Sequence, residues 1–537
     1  MSKEINDETR PPQTASLPND DAELNGDEKA LTVAQTVKSL PKSFWVANIM
    51  EIVERMAWYG FYALSSVYIC GAVADGGLGL SNQDRGVIQG TVTFFIYLFP
   101  FVTGALGDRY GYKKMLLIAY AILAPSYFLL GQMKTMPTFF AALLCVGIGA
   151  SIFKPLIVGT VGRTSNKKNG SLAFGIFYMM VNIGGFVGPL LATMLRSQGW
   201  QYVFYTSSAW ILLNIPILLL FYKEPESPDD AKNKAKPFKQ VMNEMFEVIG
   251  NVRFFLTFFV TLVIFVLGAK FFPIQQVALV ALGWIVLNVL LDIVLRATNN
   301  TRFIMRLGHT RFLLFLLLLS SFWIAYNQLF ITLPNYIENY VNSKPVMDVI
   351  YSVGNALGMD TSKEGMLSMT FLDKNGGLKP EHFININAFC IILFQVIVSI
   401  INRRIKPLIA IMFGIGLTGV SFLLIGFTQS PWIIMAAVAI FSFGEMMASP
   451  RAKEYTSHSV APRDKIGLYM GYYMWSNALG SLFGGLLSGA LYQQLAVENN
   501  NPTSMWVFFA GLSFFCCVLI YFYHVKVGRK IAAESAS

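Results

Sequence analysis

Glu51, Glu54 and Arg55 occur together in the stretch EIVERMAWYG, residues 51–60. If the segment is helical, positions i, i+3 and i+4 share one face. Two carboxylates and one guanidinium on a single face of an apolar segment are a proton-exchanging set. An acid beside a base in a low-dielectric site is either protonated or ion-paired, and small movements select between the two. The trio carries one net negative charge when fully ionised, so it needs a further cation or a proton. Lys154, in GASIFKPLIVG, is the one other cation deep in an apolar run, and Glu445, in FSFGEMMASP, is the remaining deep acid. A proline lies close to each, at 155 and 450. The alternative is a set of static interhelical ion pairs, with Glu51 snorkelling towards an interface.

Aromatic and amide side chains accompany these charges. Trp58, Tyr59 and Tyr62 follow the trio, Asn182 sits in FYMMVNIGGFVGP, Asn327 and Gln328 end FWIAYNQ, and Trp475 and Ser476 lie in YYMWSNALGSLFGG. Such residues facing a cavity suit a polar small molecule held between aromatic walls. Trp200 and Trp432 fit interfacial belts instead, whereas mid-segment Asn182, Asn327 and Asn477 do not.

The elements that must position these groups are membrane spans. Of 537 residues, 54% are apolar and 13% charged, about half the charged share of a soluble domain. Apolar runs of about 20 residues, enough to cross a bilayer, recur along nearly the whole chain. They fall at 44–74, 85–106, 115–133, 136–161, 171–195, 200–222, 254–270, 273–296, 311–334, 382–402, 406–427, 430–451, 465–493 and 503–525. The expectation is an all-α polytopic membrane protein with fourteen transmembrane helices. One charge near mid-membrane costs about 2.5–3.5 kcal/mol, so an unpaired trio at 51–55 threatens its own segment.

With the N-terminus in the cytoplasm, the inside segments hold 31 Lys and Arg and the outside segments 8. That asymmetry places both termini inside. It also accounts for the net charge of +10 without nucleic acid, since anionic lipid is a sufficient partner. Residues 1–43 are polar, acidic and Pro-bearing, and disorder is expected there, with no signal peptide. The five cysteines lie in apolar segments without a CxxC, so neither a metal site nor a disulfide framework is supported. The four histidines fall at helix ends or in loops, which argues against a histidine relay. No nucleophile–base set or cofactor loop points to an enzyme.

The charged stretch KEPESPDDAKNKAKPFKQ, 223–240, separates six spans from two further spans and then six more. The expected organisation is a six-helix bundle at 44–222, a cytoplasmic linker at 223–253, an inserted transmembrane hairpin at 254–297 and a second bundle at 311–525. An external loop at 335–381 interrupts the second bundle, and a cytoplasmic tail, 526–537, ends the chain. Between the second and third spans, GALGDRYGYKK, 104–114, resembles the signature loop of the major facilitator superfamily, a turn that gates at the inner face. Asp108 there can pair with Arg109 or cap a neighbouring helix.

Several motifs together resemble the proton-dependent oligopeptide transporters of that superfamily. EIVERMAWYG is similar to the E-x-x-E-R-F-x-Y-Y-G motif of the first helix, and FYMMVNIG to F-Y-x-x-I-N-x-G in the fifth. Lys154-Pro155, Gly444-Glu445 with Ser449-Pro450, and APRDKIGLYMGYYMWSNALG match further positions in the same order. The inserted hairpin is the bacterial form of the family. The resemblance implies proton-coupled symport of di- and tripeptides across the plasma membrane, the inner membrane in a bacterium, with the proton as coupling ion and no cofactor or metal. It implies proton coupling by Glu51, Glu54, Arg55 and Lys154. Tyr59 and Asn182 contact the peptide backbone, and Glu445 faces its amino terminus. Tyr62, Lys154, Asn327, Gln328, Trp475 and Ser476 complete the expected substrate site.

The family's arginine two residues after the first-helix glycine is Tyr62 here, and its F-W-x-x-x-D-Q aspartate is Asn327. The two form an outer gate in the family, so a Tyr–Asn hydrogen bond is expected to replace an ion pair, with Asp108 and Arg109 gating the inner face. The charged run Arg451, Lys453 and Glu454 has no counterpart in that pattern. Retention of the first-helix motif weighs against an anion carrier. Two other readings stay open: a transporter of the same fold for another small solute, and a receptor or scaffold without turnover.

Overall fold

The structure is a computed structural model. It describes residues 33–536 except 81–91 (88 being described), 167, 197, 226–249 (239, 240, 243, 246 and 248 described), 273, 299–302, 363–375 (368, 371 and 372 described) and 463–464. The long helices are α1 (Lys42–Cys70), α2 (Pro100–Tyr110), α3 (Tyr112–Leu130), α4 (Met136–Thr164), α5 (Gly170–Arg196), α6 (Trp200–Phe221), α7 (Val252–Phe271), α8 (Ile274–Ala297), α9 (Thr310–Tyr326), α10 (Pro380–Asn402), α11 (Pro407–Gly426), α12 (Pro431–Tyr455), α13 (Ile466–Leu491) and α14 (Pro502–Ala536). Among the described residues, ten helices are long and apolar enough to cross a membrane. The other four, α1, α2, α7 and α13, overlap the apolar runs expected at 44–74, 85–106, 254–270 and 465–493, and part of the run at 85–106 lies outside the described residues. This is an all-α, multi-pass membrane protein.

Local chemistry sets many helix starts. Proline opens α2, α10, α11, α12 and α14, where its missing N–H costs no hydrogen bond. The turn between α2 and α3 is a single residue, Gly111, at φ 93°, a conformation that favours glycine. Glu224 accepts the N–H groups of Tyr112 at 2.6 Å and Lys113 at 3.4 Å, capping the start of α3.

Helices α1, α3, α4, α5 and α6 pack among themselves, as do α9 to α14. The two groups meet through α2 and α4 on α13, and through α5 on α10 and α12. These junctions concentrate at one end, the end that carries the Asp108 turn. There Gly104 of α2 and Gly467 of α13 touch backbone to backbone, and a Cβ on Gly104 would come within 2.2 Å of the Gly467 carbonyl. Ser171 of α5 donates to the Ser399 carbonyl of α10 at 3.2 Å. At the opposite end of α13, a Cβ on Gly485 or Gly489 would meet open space. The two groups are therefore joined to each other at the Asp108 end.

Four boundaries differ from expectation. Residues 33–39 of the expected disordered tail form a helix, because Thr36 and Leu40 are buried and Asn169 donates to Ser39 at 3.3 Å; residues 1–32 lie outside the described residues. The span expected at 311–334 breaks at Asn327 and continues as short helices at Gln328–Ile331 and Leu333–Tyr340. The external loop at 335–381 contains a helix, Lys344–Ala356, whose apolar side buries Val346 and Met347. Finally, α14 runs on through the expected tail.

Candidate functional site

Arg55 organises the first cluster. Its Nε donates to Glu54 Oε2 at 2.6 Å, its Nη2 also contacts that carboxylate, and its Nε lies 3.3 Å from Glu51 Oε1. All three side chains are buried, Glu54 fully. Glycines in α5 permit this burial: a Cβ on Gly184 would lie 2.5 Å from Arg55 Cβ, and one on Gly188 would lie 2.6 Å from the Met56 carbonyl. Close approach of α1 to α5 thus removes water from the trio. The Glu54 Oε1 atom is buried and receives no hydrogen bond.

Beyond Arg55, its guanidinium carbon lies 5.7 Å from the Tyr59 ring centre. Lys154 of α4 does not join the ion pair. Its Nζ lies 4.3 Å from the centre of the Tyr97 ring and 3.2 Å from the Tyr97 hydroxyl. Arg55 pairs with both glutamates, and Lys154 rests on an aromatic face.

Glu445 forms the second cluster. It is 1% exposed. Tyr326 donates to Oε1 at 2.7 Å, Tyr178 donates to the same atom, and Asn387 donates to Oε2 at 2.7 Å. Its partners are thus neutral hydroxyls and an amide from α5, α9 and α10. Asn182 of α5, one turn beyond Tyr178, donates to the Tyr178 carbonyl at 2.9 Å.

The expectation of a single further buried cation is corrected. Lys453, 9% exposed, lies with its Nζ 4.5 Å from the Tyr178 ring centre. Its neighbours in the charged run pair with each other: Arg451 Nη1 meets Glu454 Oε2 at 2.5 Å, and Arg451 Nη2 donates to the Ile405 carbonyl. The i,i+3 spacing of Arg451 and Glu454 was the available signal for that pair. Tyr97, Tyr178, Tyr326 and Asn387 were the other residues missed. Asn387 had a signal as a polar residue inside the apolar run FININAFC, and Tyr178 and Tyr326 stood in the stretches FYMMVNIG and FWIAYNQ.

The gate residues separate into two behaviours. Asp108 reaches across the two helix groups. It accepts the N–H groups of Gly467 at 3.3 Å and Leu468 at 3.0 Å, at the start of α13, where the helix dipole favours a carboxylate. Arg163 Nη2 at 3.0 Å and the Tyr112 hydroxyl at 2.8 Å hold it from behind. Arg109, the alternative partner, lies over the Tyr110 ring at 4.8 Å. At the other end, Tyr62 stacks on Trp58 at 4.7 Å and meets the Thr93 hydroxyl at 3.2 Å. Asn327 donates to Ser481 at 3.2 Å. Each rests on its own helix group.

Three expected substrate residues lie in packing seams. Gln328 is fully buried, donates to the carbonyls of Ile324 at 2.7 Å and Gly484 at 3.1 Å, and accepts from Thr332 at 2.6 Å. Trp475 donates to the Leu98 carbonyl at 3.0 Å and packs among Phe101, Phe255 and Phe258. Ser476 donates to the Tyr473 carbonyl at 2.7 Å. In this conformation their polar atoms are committed to the fold. Among the described residues, no three His, Cys, Asp or Glu side chains are grouped to hold a metal ion.

Comparison with known proteins adds to this geometry. The family model of the Major Facilitator Superfamily matches residues 52–379 and 382–536. Dipeptide and tripeptide permease A of Serratia proteamaculans is 22% identical over 486 residues, covering 87% of this chain and 86% of the permease. Peptide transporter YePEPT of Yersinia enterocolitica is 24% identical, covering 82% of this chain and 86% of that protein. Among solved structures, a POT family transporter in complex with a thioalcohol-conjugated peptide superposes with a TM-score of 0.59 at 18% identity, covering 92% of this chain and all of the other. A POT family transporter with 5-aminolevulinic acid gives 0.58, also at 18% identity and 92% of this chain.

Proposed function

The chain belongs to the Major Facilitator Superfamily, and from that premise we propose that it is one of the proton-dependent oligopeptide transporters, a proton-coupled symporter importing di- and tripeptides by alternating access. The single observation that carries the coupling is the buried, undonated Oε1 of Glu54 beside the Arg55 pair. A proton on Glu54 weakens its hold on Arg55 and frees the guanidinium to swing towards Glu51 or an arriving carboxylate. Lys154, held among the described residues by the Tyr97 ring and hydroxyl, follows.

In this reading the chain makes fourteen crossings of a bacterial inner membrane with both termini cytoplasmic. The bundles comprise 44–222 and 311–525, and 254–297 is an added hairpin. The Asp108 end is the cytoplasmic one, so the two groups are joined on that side. Peptide and proton enter at the other end. Tyr59 and Asn182 meet the peptide backbone, and the peptide amine replaces a tyrosine hydroxyl on Glu445. Tyr62 and Asn327 leave their present partners and meet when the outer end closes. Release follows when the Asp108 contacts to α13 part. The protein performs no covalent chemistry and uses no cofactor besides the proton.

A second reading, another small amino-bearing solute on the same machinery, draws support from the similar fold that holds 5-aminolevulinic acid. Uptake of a labelled peptide panel by purified protein in liposomes, under an inward proton gradient, separates the two. Accumulation of di- and tripeptides that a protonophore abolishes supports peptide symport. No uptake of any peptide by folded protein overturns it in favour of the second reading.

A further inference from the structure

Lys453 is nine-tenths buried, yet among the described residues it makes no hydrogen bond and no ion pair. It follows Glu445 by eight positions on α12, and helix side chains lean towards the N-terminus, so its ammonium reaches back towards that carboxylate. The ionisable groups that act on it are Glu51 from α1, Lys154 from α4 and Glu445 from its own helix. Both carboxylates are already engaged, Glu51 by Arg55 and Glu445 by two tyrosines and Asn387. The ammonium therefore rests on aromatic faces, 4.5 Å from the centre of the Tyr178 ring and 5.7 Å from that of Phe177. Lys154 rests in the same way on Tyr97, at 4.3 Å, on the other side of the junction between the two helix groups.

Two lysines with buried side chains, one from each helix group, lack a carboxylate partner among the described residues and lie beside a carboxylate wrapped in exchangeable hydroxyls. That set complements a solute with one amine and two carboxylates. We propose that Lys453 is a specificity-determining residue for peptides carrying an acidic side chain. Lys154 takes the peptide's terminal carboxylate, Lys453 takes the Asp or Glu side chain, and Glu445 takes the amine. This inference rests on the peptide-transport reading and narrows it. A buried ammonium without an anionic partner is expensive, so an anion that arrives with the substrate is bound more strongly than its neutral isostere.

The test is uptake of Ala-Glu against isosteric Ala-Gln by the full-length protein in liposomes, at one pH and one proton gradient. A charge-assisted contact gives Ala-Glu an advantage of about tenfold in kcat/KM. Lys453→Gln brings the Ala-Glu to Ala-Gln ratio to about one, and Lys453→Arg keeps it above one. Equal uptake of the two peptides by the natural protein overturns the proposal without reference to any variant. An unchanged ratio in Lys453→Gln, with monodisperse protein, also overturns it. Transport of neither peptide removes the peptide-transport reading and this inference together, whereas the preceding two outcomes leave that reading intact.

Discussion

The carboxylate of Asp108, in the last turn of α2, accepts the N–H of Leu468 at the first turn of α13 at 3.0 Å. One side chain thereby joins the two helix groups at the end where they are closed. Arg163 and Tyr112 hold the carboxylate in place, so the latch is prepared from within the first group and delivered to the second.

Asp108→Asn keeps the size and removes the charge. Losing charge-assisted bonds to a helix start and to Arg163 weakens closure by about 1–3 kcal/mol. A cysteine placed at Ser399, buried against Gly175 at the same end, reports on this. Its modification by a water-soluble thiol reagent is expected to speed up severalfold in the Asp108→Asn background. Gly104→Ala acts in the same direction by sterics, since its Cβ cannot fit against Gly467. An unchanged rate in both variants refutes the latch.

Arg55 is the only described cation that pairs directly with Glu51 and Glu54. Arg55→Ala leaves two uncompensated acids in a dry site and costs about 3–5 kcal/mol. Glu54→Gln removes charge from the site and costs less. Thermal unfolding in detergent is expected to rank them in that order, and adding Glu54→Gln to Arg55→Ala recovers part of the loss. A larger fall in Tm for Glu54→Gln contradicts the assignment.

Gln328 and Lys154 separate packing from binding. Gln328→Ala strands the backbone and Thr332 partners of a buried amide and lowers stability by about 1–3 kcal/mol. Its KM is expected to stay near the natural value. Lys154→Gln is expected to raise KM by about tenfold with a smaller change in Tm. Measuring Tm and uptake kinetics on both variants decides the matter, and a reversed pattern sinks it.

His309, at the start of α9, bonds to the Tyr469 hydroxyl at 2.7 Å. Burial, and then the nearby Lys465, hold its pKa below the ordinary 6.5. The unfolded chain takes up a proton near that value that the folded chain refuses, so the unfolded state is favoured as pH falls. The associated stability is present above pH 6.5 and lost below it. The Tm of the natural protein is expected to drop more between pH 7 and 5 than that of His309→Gln, by a small margin because the side chain is partly exposed. Parallel curves exclude the effect.

The spans were legible because apolar runs of bilayer length have one reading in water or lipid. The break at Asn327 was not, since a polar residue inside such a run reads equally as a site or a kink. The first-helix trio was legible from spacing, because i, i+3 and i+4 fix a face. Lys453 was visible as a charge but not as an inward-facing one; that depends on Arg451 and Glu454 pairing off along the same helix. Glu445 was legible as a deep acid, but the three neutral donors from three other helices that surround it make a contact no local pattern encodes. Gln328, Trp475 and Ser476 stood out as polar or aromatic in an apolar context, and packing uses such groups as readily as binding does.

The coupling role of Glu54 is tested most directly by uptake of labelled di-alanine into liposomes under an inward proton gradient, for the natural protein and Glu54→Gln. Loss of gradient-driven accumulation in the variant, with exchange against internal unlabelled peptide retained, is the predicted result. Accumulation by Glu54→Gln at the natural level contradicts the account, because the proton then enters through some other group.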